Sequence, residues 1–159
     1  MLVKMVLKNW YRYVERATEL LDSLTDDELQ DEVSDDRNTG IYLYGHLIAF
    51  ADALAELLEI GEINYPRMQV LFIENPDKQG YLGRPEDIRK HWVEVHKRLQ
   101  GAFSEMSPDE WFERHSRVST EEFMLDDTRN KLGVLLNRTN HLSYHLGQLA
   151  FLRKKPKLF

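Results

Sequence analysis

Apolar residues recur at helical spacing in four separate stretches, and this periodicity constrains the chain more than any other feature. Val6, Trp10, Tyr13, Ala17, Leu20, Leu21 and Leu24 form one stripe of a segment from about Leu2 to Leu24. A second stripe (Leu43, His46, Leu47, Phe50, Ala53, Leu54, Leu57) lies on a segment capped by Asn38 or Thr39 and continuing to about Glu59, before Gly61. Ile88, Trp92, Val95, Leu99, Phe103 and Met106 align on a third, which Pro85 opens at its first turn. The fourth starts near Asp127 or Thr128 and runs to about Lys155, where Pro156 stops it. At about 3.6 residues per turn each set covers one face, which must be buried against another element. The Asn or Thr caps and the placement of the prolines agree with these ends. No stretch alternates with the strength a strand would require. The expected fold is therefore all-α, a four-helix bundle.

A chain of 159 residues is expected to form a single domain, 1–159, with a core of its own. Its connections are long. The stretch from Gly61 to Arg84 holds Pro66, Pro76 and an apolar patch from Val70 to Ile73. A structureless loop of that length is uncommon inside a compact domain, so it should pack across one end or side of the bundle and border the functional site. Ser107-Pro108-Asp109-Glu110 is the signature of a short helix within the connection from Ser107 to Asp126, and Asp26 to Gln30 suggests another turn. No internal repeat is visible.

Composition narrows the function. The net charge of -6 argues against duplex nucleic acid as a partner, because no basic stripe is available to displace counterions from phosphates. Arg153, Lys154, Lys155 and Lys157 form the one basic cluster, and it suits the C-terminal end of a helix. Cysteine is absent, which rules out disulfides, thiolate ligands and a cysteine nucleophile. Met1 to Leu7 is too short for a signal-peptide core, and no apolar run is long enough to span a bilayer. A soluble, cytoplasmic protein is expected.

The six histidines carry the chemistry. His141 and His145 stand four apart on the fourth helix, separated by only ~40° around its axis, so both imidazoles can reach one metal ion. Val134, Gln148 and Leu152 fall within ~20° of His141, and leucines fill the adjoining arc, so the pair faces inward. His46 lies mid-stripe on the second helix, between Leu43 and Phe50. There it is either a core histidine bonded to a carbonyl or water, or a third ligand. His91 and His96 are five apart and point ~140° away from each other, which suits structural roles at the edges of the Trp92 stripe. His115, between Arg114 and Arg117, reads as a surface loop residue.

The stretch Asn140-His141-Leu142-Ser143-Tyr144-His145-Leu146-Gly147-Gln148-Leu149, followed by Leu152-Arg153-Lys154, resembles the last-helix motif of the DinB/YfiT-like superfamily. Gly45-His46-Leu47 matches the lone histidine of the superfamily's second helix. The resemblance follows nearly the whole chain in helix order. It implies up-down-down-up topology, a metal triad of His46, His141 and His145, a divalent metal such as zinc or nickel, and frequent homodimers. Relatives include S-transferases and isomerases that use low-molecular-weight thiols.

Three imidazoles suit zinc, nickel, iron or copper, and disfavour magnesium and calcium. A set of three leaves open positions, as catalytic sites do, and an ion so held can lower the pKa of water towards ~7 or deprotonate an incoming thiol. Asn137 and Gln148 are candidates to orient the rings, and Tyr144, ~60° from His141, is a candidate catalytic residue at the site's edge. No Asp or Glu falls on the apolar faces of the second, third or fourth helix, and Asp52 points away from His46, so no general base is named. The leading expectation is a metal-dependent enzyme acting on a small-molecule substrate, by thiol transfer ahead of hydrolysis. The alternative is a non-catalytic metal-binding or dimeric, stress-related interaction protein whose triad only stabilises the bundle.

Overall fold

The computed structural model describes residues 1–77 and 82–153. Among them it is all-helical, with only two isolated β-bridges and no strand. The long elements are α1 (Leu2–Ser23), α3 (Gly40–Asp52), α6 (Pro85–Glu105) and α8 (Lys131–Leu149). Between them lie the short helices α2 (Asp26–Gln30), α4 (Leu54–Leu57), α5 (Pro66–Gln69) and α7 (Thr120–Leu125). Helix α1 packs along α8, and α3 packs against both α6 and α8. No helix of the described residues is long and apolar enough to cross a membrane.

The stripes read from the sequence are the faces the fold buries. Val6, Trp10, Ala17, Leu20 and Leu21 of α1 are in the core, as are Ile88, Trp92, Val95, Leu99 and Phe103 of α6. Polar groups that α1, α3 and α6 carry inward find partners across the helix seams. Tyr44 Oη donates to Ala17 O at 3.1 Å, and Trp92 Nε1 donates to Thr18 Oγ1 at 2.8 Å. Helix α3 differs in kind. Its sequence, Gly-Ile-Tyr-Leu-Tyr-Gly-His-Leu-Ile-Ala-Phe-Ala-Asp, is apolar almost all round, and nearly every residue of it is buried. A helix without a polar face belongs in the centre of a fold rather than on its rim.

Several boundaries depart from the sequence reading. The second helix does not run unbroken to Glu59: α3 ends at Asp52, α4 follows, and Glu59 turns the chain with φ 58°. Helix α8 begins at Lys131, not at Asp127 or Thr128, because Asp126 Oδ1 accepts from Thr128 N at 3.1 Å and makes its own turn there. Asn130 caps the helix instead, its side chain accepting from Gly133 N at 2.8 Å. Its regular part stops at Leu149 and tightens into a 3-10 turn over Ala150–Leu152. The expected end at Lys155 and Pro156, and the basic cluster beyond Arg153, lie outside the described residues. Ser107 and Glu110 do open a short turn, a 3-10 helix over Glu110–Phe112. Helix α7, with its Ser119–Glu122 capping box, was not anticipated.

The connection after Gly61 packs along the side of α3. Helix α5 and a π-helical turn over Val70–Glu74 drive Phe72 into the core, where it is 1% exposed. Hydrogen bonds fasten the segment: Gln69 Nε2 to Ala49 O at 2.8 Å, Tyr42 Oη to Asn75 O at 2.8 Å, and Thr39 N to Asp77 Oδ2 at 2.6 Å.

Asp52 corrects the expectation that no acid sits on an apolar face. It is fully buried, because α3 is enclosed on every side. Its carboxylate accepts from Asn64 N at 3.2 Å and Tyr65 N at 2.8 Å, and pairs with Arg98 of α6 at 2.6 Å. It holds the start of the connection and lies apart from the histidines. Removing one partner of a buried pair strands the other charge. Asp52→Ala is expected to lower unfolding free energy by about 3–5 kcal/mol, measured by urea denaturation.

Candidate metal centre

Two helices and one loop carbonyl build the site. His141 and His145 lie one turn apart on α8, with Leu142, Leu146 and Leu149 buried beside them. His46 comes from α3, where the packing of α3 on α8 brings it opposite the pair. The three imidazoles converge. His46 Nε2 stands 3.1 Å from His141 Nε2, and His145 Nε2 is also 3.1 Å from it. All three rings are half-buried, and ligand atoms from all three lie within 4.8 Å of one another.

The opposite ring nitrogens decide what those Nε2 atoms are. His46 Nδ1 is 2.7 Å from Phe72 O, and a carbonyl can only accept, so Nδ1 carries the proton. His145 Nδ1 donates in the same way to Gln148 Oε1 at 2.7 Å. In the neutral form both rings therefore present an unprotonated Nε2 to His141. The single Nε2 proton that His141 could carry cannot serve both at full strength. Two lone pairs converging on a third ring nitrogen are compatible with a shared cation. Two nitrogens each about 2.05 Å from a tetrahedral ion would stand about 3.3 Å apart, close to the spacing observed.

Electrostatics also hold the rings in the ligating form. Burial pushes the His141 pKa down to about 4, helped by His145, His46 and Arg138. Burial likewise lowers His46, against the opposing pull of the Phe72 carbonyl and with the help of Arg138. His145 is lowered by burial, with Gln148 opposing and His46 adding to it. Neutral imidazole is the form that binds a metal.

Residues 10–149 match the sequence profile of the DinB superfamily. The chain belongs to the DinB superfamily. No curated protein matches its sequence. The match spans both motifs of the DinB protein, the lone histidine of α3 and the paired histidines of α8.

The other candidate residues of this DinB chain separate cleanly. Gln148 stands against His145. Tyr144 is 63% exposed, with its ring 5.0 Å from that of His145 and its hydroxyl accepting a long 3.4 Å contact from Gln148 Nε2. Asn137 is exposed and makes no hydrogen bond to the three rings among the described residues. His96 donates from Nδ1 to Trp92 O at 2.9 Å and packs between Trp10 and Trp92. His91 packs on Tyr65, at 4.3 Å, and lines a cavity of about 390 Å³ under the connection. His115 is half-buried in its loop and accepts from Arg117 N at 3.3 Å. The connection borders the site through Phe72, as expected, but what it supplies is a main-chain oxygen, which no side-chain pattern announces.

Gly45 makes that contact possible, since a Cβ there would overlap the Phe72 ring. Gly45→Ala is expected to cost about 1–3 kcal/mol of stability. It should also expose the His46 Nδ1 proton to solvent exchange, seen as loss of its NMR signal. A pH dependence follows from the lowered pKa values. Native imidazoles resist protonation that the unfolded chain accepts from pH 6.5 downward, so the unfolded state binds more protons in that range. The metal-free protein should lose stability progressively from pH 6.5 to about 4, the native value of His141 and His96. Urea midpoints across that range check the sign, and His141→Ala should flatten the slope.

Proposed function

We propose that His46, His141 and His145 hold one divalent transition metal ion, zinc or nickel, through their Nε2 atoms. We further propose that the protein is a metal-dependent enzyme of the thiol S-transferase type, ahead of a hydrolase. The observation that carries this reading is the convergence of three Nε2 atoms, two of them on rings whose tautomers are set from outside, His46 by Phe72 O and His145 by Gln148 Oε1. Among the described residues no fourth histidine or carboxylate joins the cluster. Three donors on half-buried rings suit a site open to ligands better than a closed structural one, which four protein donors complete.

The ion would supply Lewis acidity, lowering the pKa of a thiol or water that reaches it. The chain's own part is positional. Phe72 O and Gln148 orient the His46 and His145 rings, and Phe50 packs against those of His46 and His141. Tyr144, exposed beside His145, is placed to meet an incoming substrate and is the proposed catalytic residue. Because the chain has no cysteine, the thiol arrives as a cosubstrate. The same reading includes a cytoplasmic homodimer and up-down-down-up helix order; the packing of α1 on α8 and of α3 on α6 and α8 is compatible with the helix order.

Elemental analysis of untreated protein should find one ion per chain, and His141→Ala or His145→Ala should abolish it. A chelator should lower the melting temperature, since a ligand bound only to the native state stabilises it by mass action. Unchanged metal content in either variant would refute the assignment. A screen of small thiols with electrophilic acceptors then tests the transferase reading; wild-type protein with stoichiometric ion and no turnover would favour a binding role.

A further inference from the structure

Arg138 precedes His141 by one turn on α8, and its guanidinium carbon lies 4.5 Å from the centre of the Phe50 ring. The same phenyl ring stands 4.6 Å from the His46 imidazole and 4.7 Å from that of His141. One aromatic side chain thus touches both the cation and two of the three converging rings. Arg138 and His141 also line a common crevice of about 10 Å³, room for a single water at most.

Among the described residues no countercharge accompanies this cation. Arg89, Arg98 and Arg129 each pair with a carboxylate. Arg138 makes no ion pair and no hydrogen bond among the described residues, and its Nε is buried with no partner. Among the described residues, the charge that bears on its titration is another cation, Arg117. A half-buried guanidinium with no acceptor is costly to hold, and a methionine would cover Phe50 without that cost. The corner beside the triad is therefore positive.

Resting on the metal-centre reading above, we propose that Arg138 is the substrate-recognition residue of the site, pairing with the carboxylate of a small organic acid whose other end faces His46, His141 and His145. A planar guanidinium fork matches a carboxylate in two parallel hydrogen bonds, and stacking on Phe50 presents that fork in a fixed orientation. Arg138 stands one turn from His141 and shares the Phe50 ring with it, which sets the span: the ligand carries its reacting group only a few bonds from its carboxylate. Neutral molecules of the same size would forgo the pairing.

The test uses the full chain loaded with cobalt(II), whose near-ultraviolet absorption reports a thiolate entering its coordination. Titration with 3-mercaptopropionate and with 2-mercaptoethanol compares two thiols of similar size that differ in the carboxylate. The wild-type protein is expected to bind the acid about tenfold or more tightly, the gain expected of a charge-assisted hydrogen bond. Arg138→Met should lose that preference while keeping its cobalt and its affinity for mercaptoethanol, and Arg138→Lys should keep part of it. Arg138→Gln replaces the methionine variant should that one fail to fold. Absence of a preference in the wild-type chain, or its survival in Arg138→Met or Arg138→Gln, would overturn the assignment while leaving the metal centre standing. A chain that takes up no cobalt would overturn both.

Discussion

The hydrogen bond from His46 Nδ1 to Phe72 O, 2.7 Å long, joins the two halves of what this molecule builds. On one side it fixes a tautomer, so that an imidazole on the central helix presents a lone pair rather than a proton. On the other it depends on the course of the long connection, because the carbonyl is delivered by a π-helical turn pinned through Gln69, Tyr42 and Thr39. Gly45 lets the Phe72 ring lie against α3 at the level of His46. The fold thus sets the tautomer of His46 through packing that looks purely structural.

A division of labour follows between the two helices that meet there. Helix α8 supplies two donors and, three residues past the second, the amide that orients it. This half of the site is local, written within one helix. Helix α3 supplies a single donor and borrows its orienting group from a segment 26 residues away. Arg138 adds a charge on the α8 side, Phe50 an aromatic wall on the α3 side, and the two stack on each other.

How much of this the sequence discloses depends on whether the signal is periodic. The apolar stripes of α1, α6 and α8 are legible because each lies on one face, and the His141–His145 pair inherits its direction from the same rule. Gln148 is legible as a neighbour three residues from His145. Helix α3 carries little contrast between its faces, so its break at Ala53 and the burial of Asp52 are not readable from periodicity. Asp52 is tolerated inside only because Arg98 and two backbone amides from another part of the chain meet it, and nothing local announces them. The Phe72 carbonyl is invisible for a related reason, since every residue owns one. Helix α7 is legible by the same local rule, since Ser119 and Glu122 are spaced as a capping box.

Two nitrogens of the triad ride on one rigid helix and the third on another, with 95 residues of chain between His46 and His141. Their spacing is therefore a gauge of the α3–α8 seam. A slide of one helix along the other by an ångström would leave His141 and His145 in register while carrying His46 out of reach. Leu47, beside His46, and Leu142, beside His141, are both in the core, so a change of volume at either can detune the centre without touching a ring. Fidelity of the site is in this sense a property of the interhelical packing as much as of the histidines themselves.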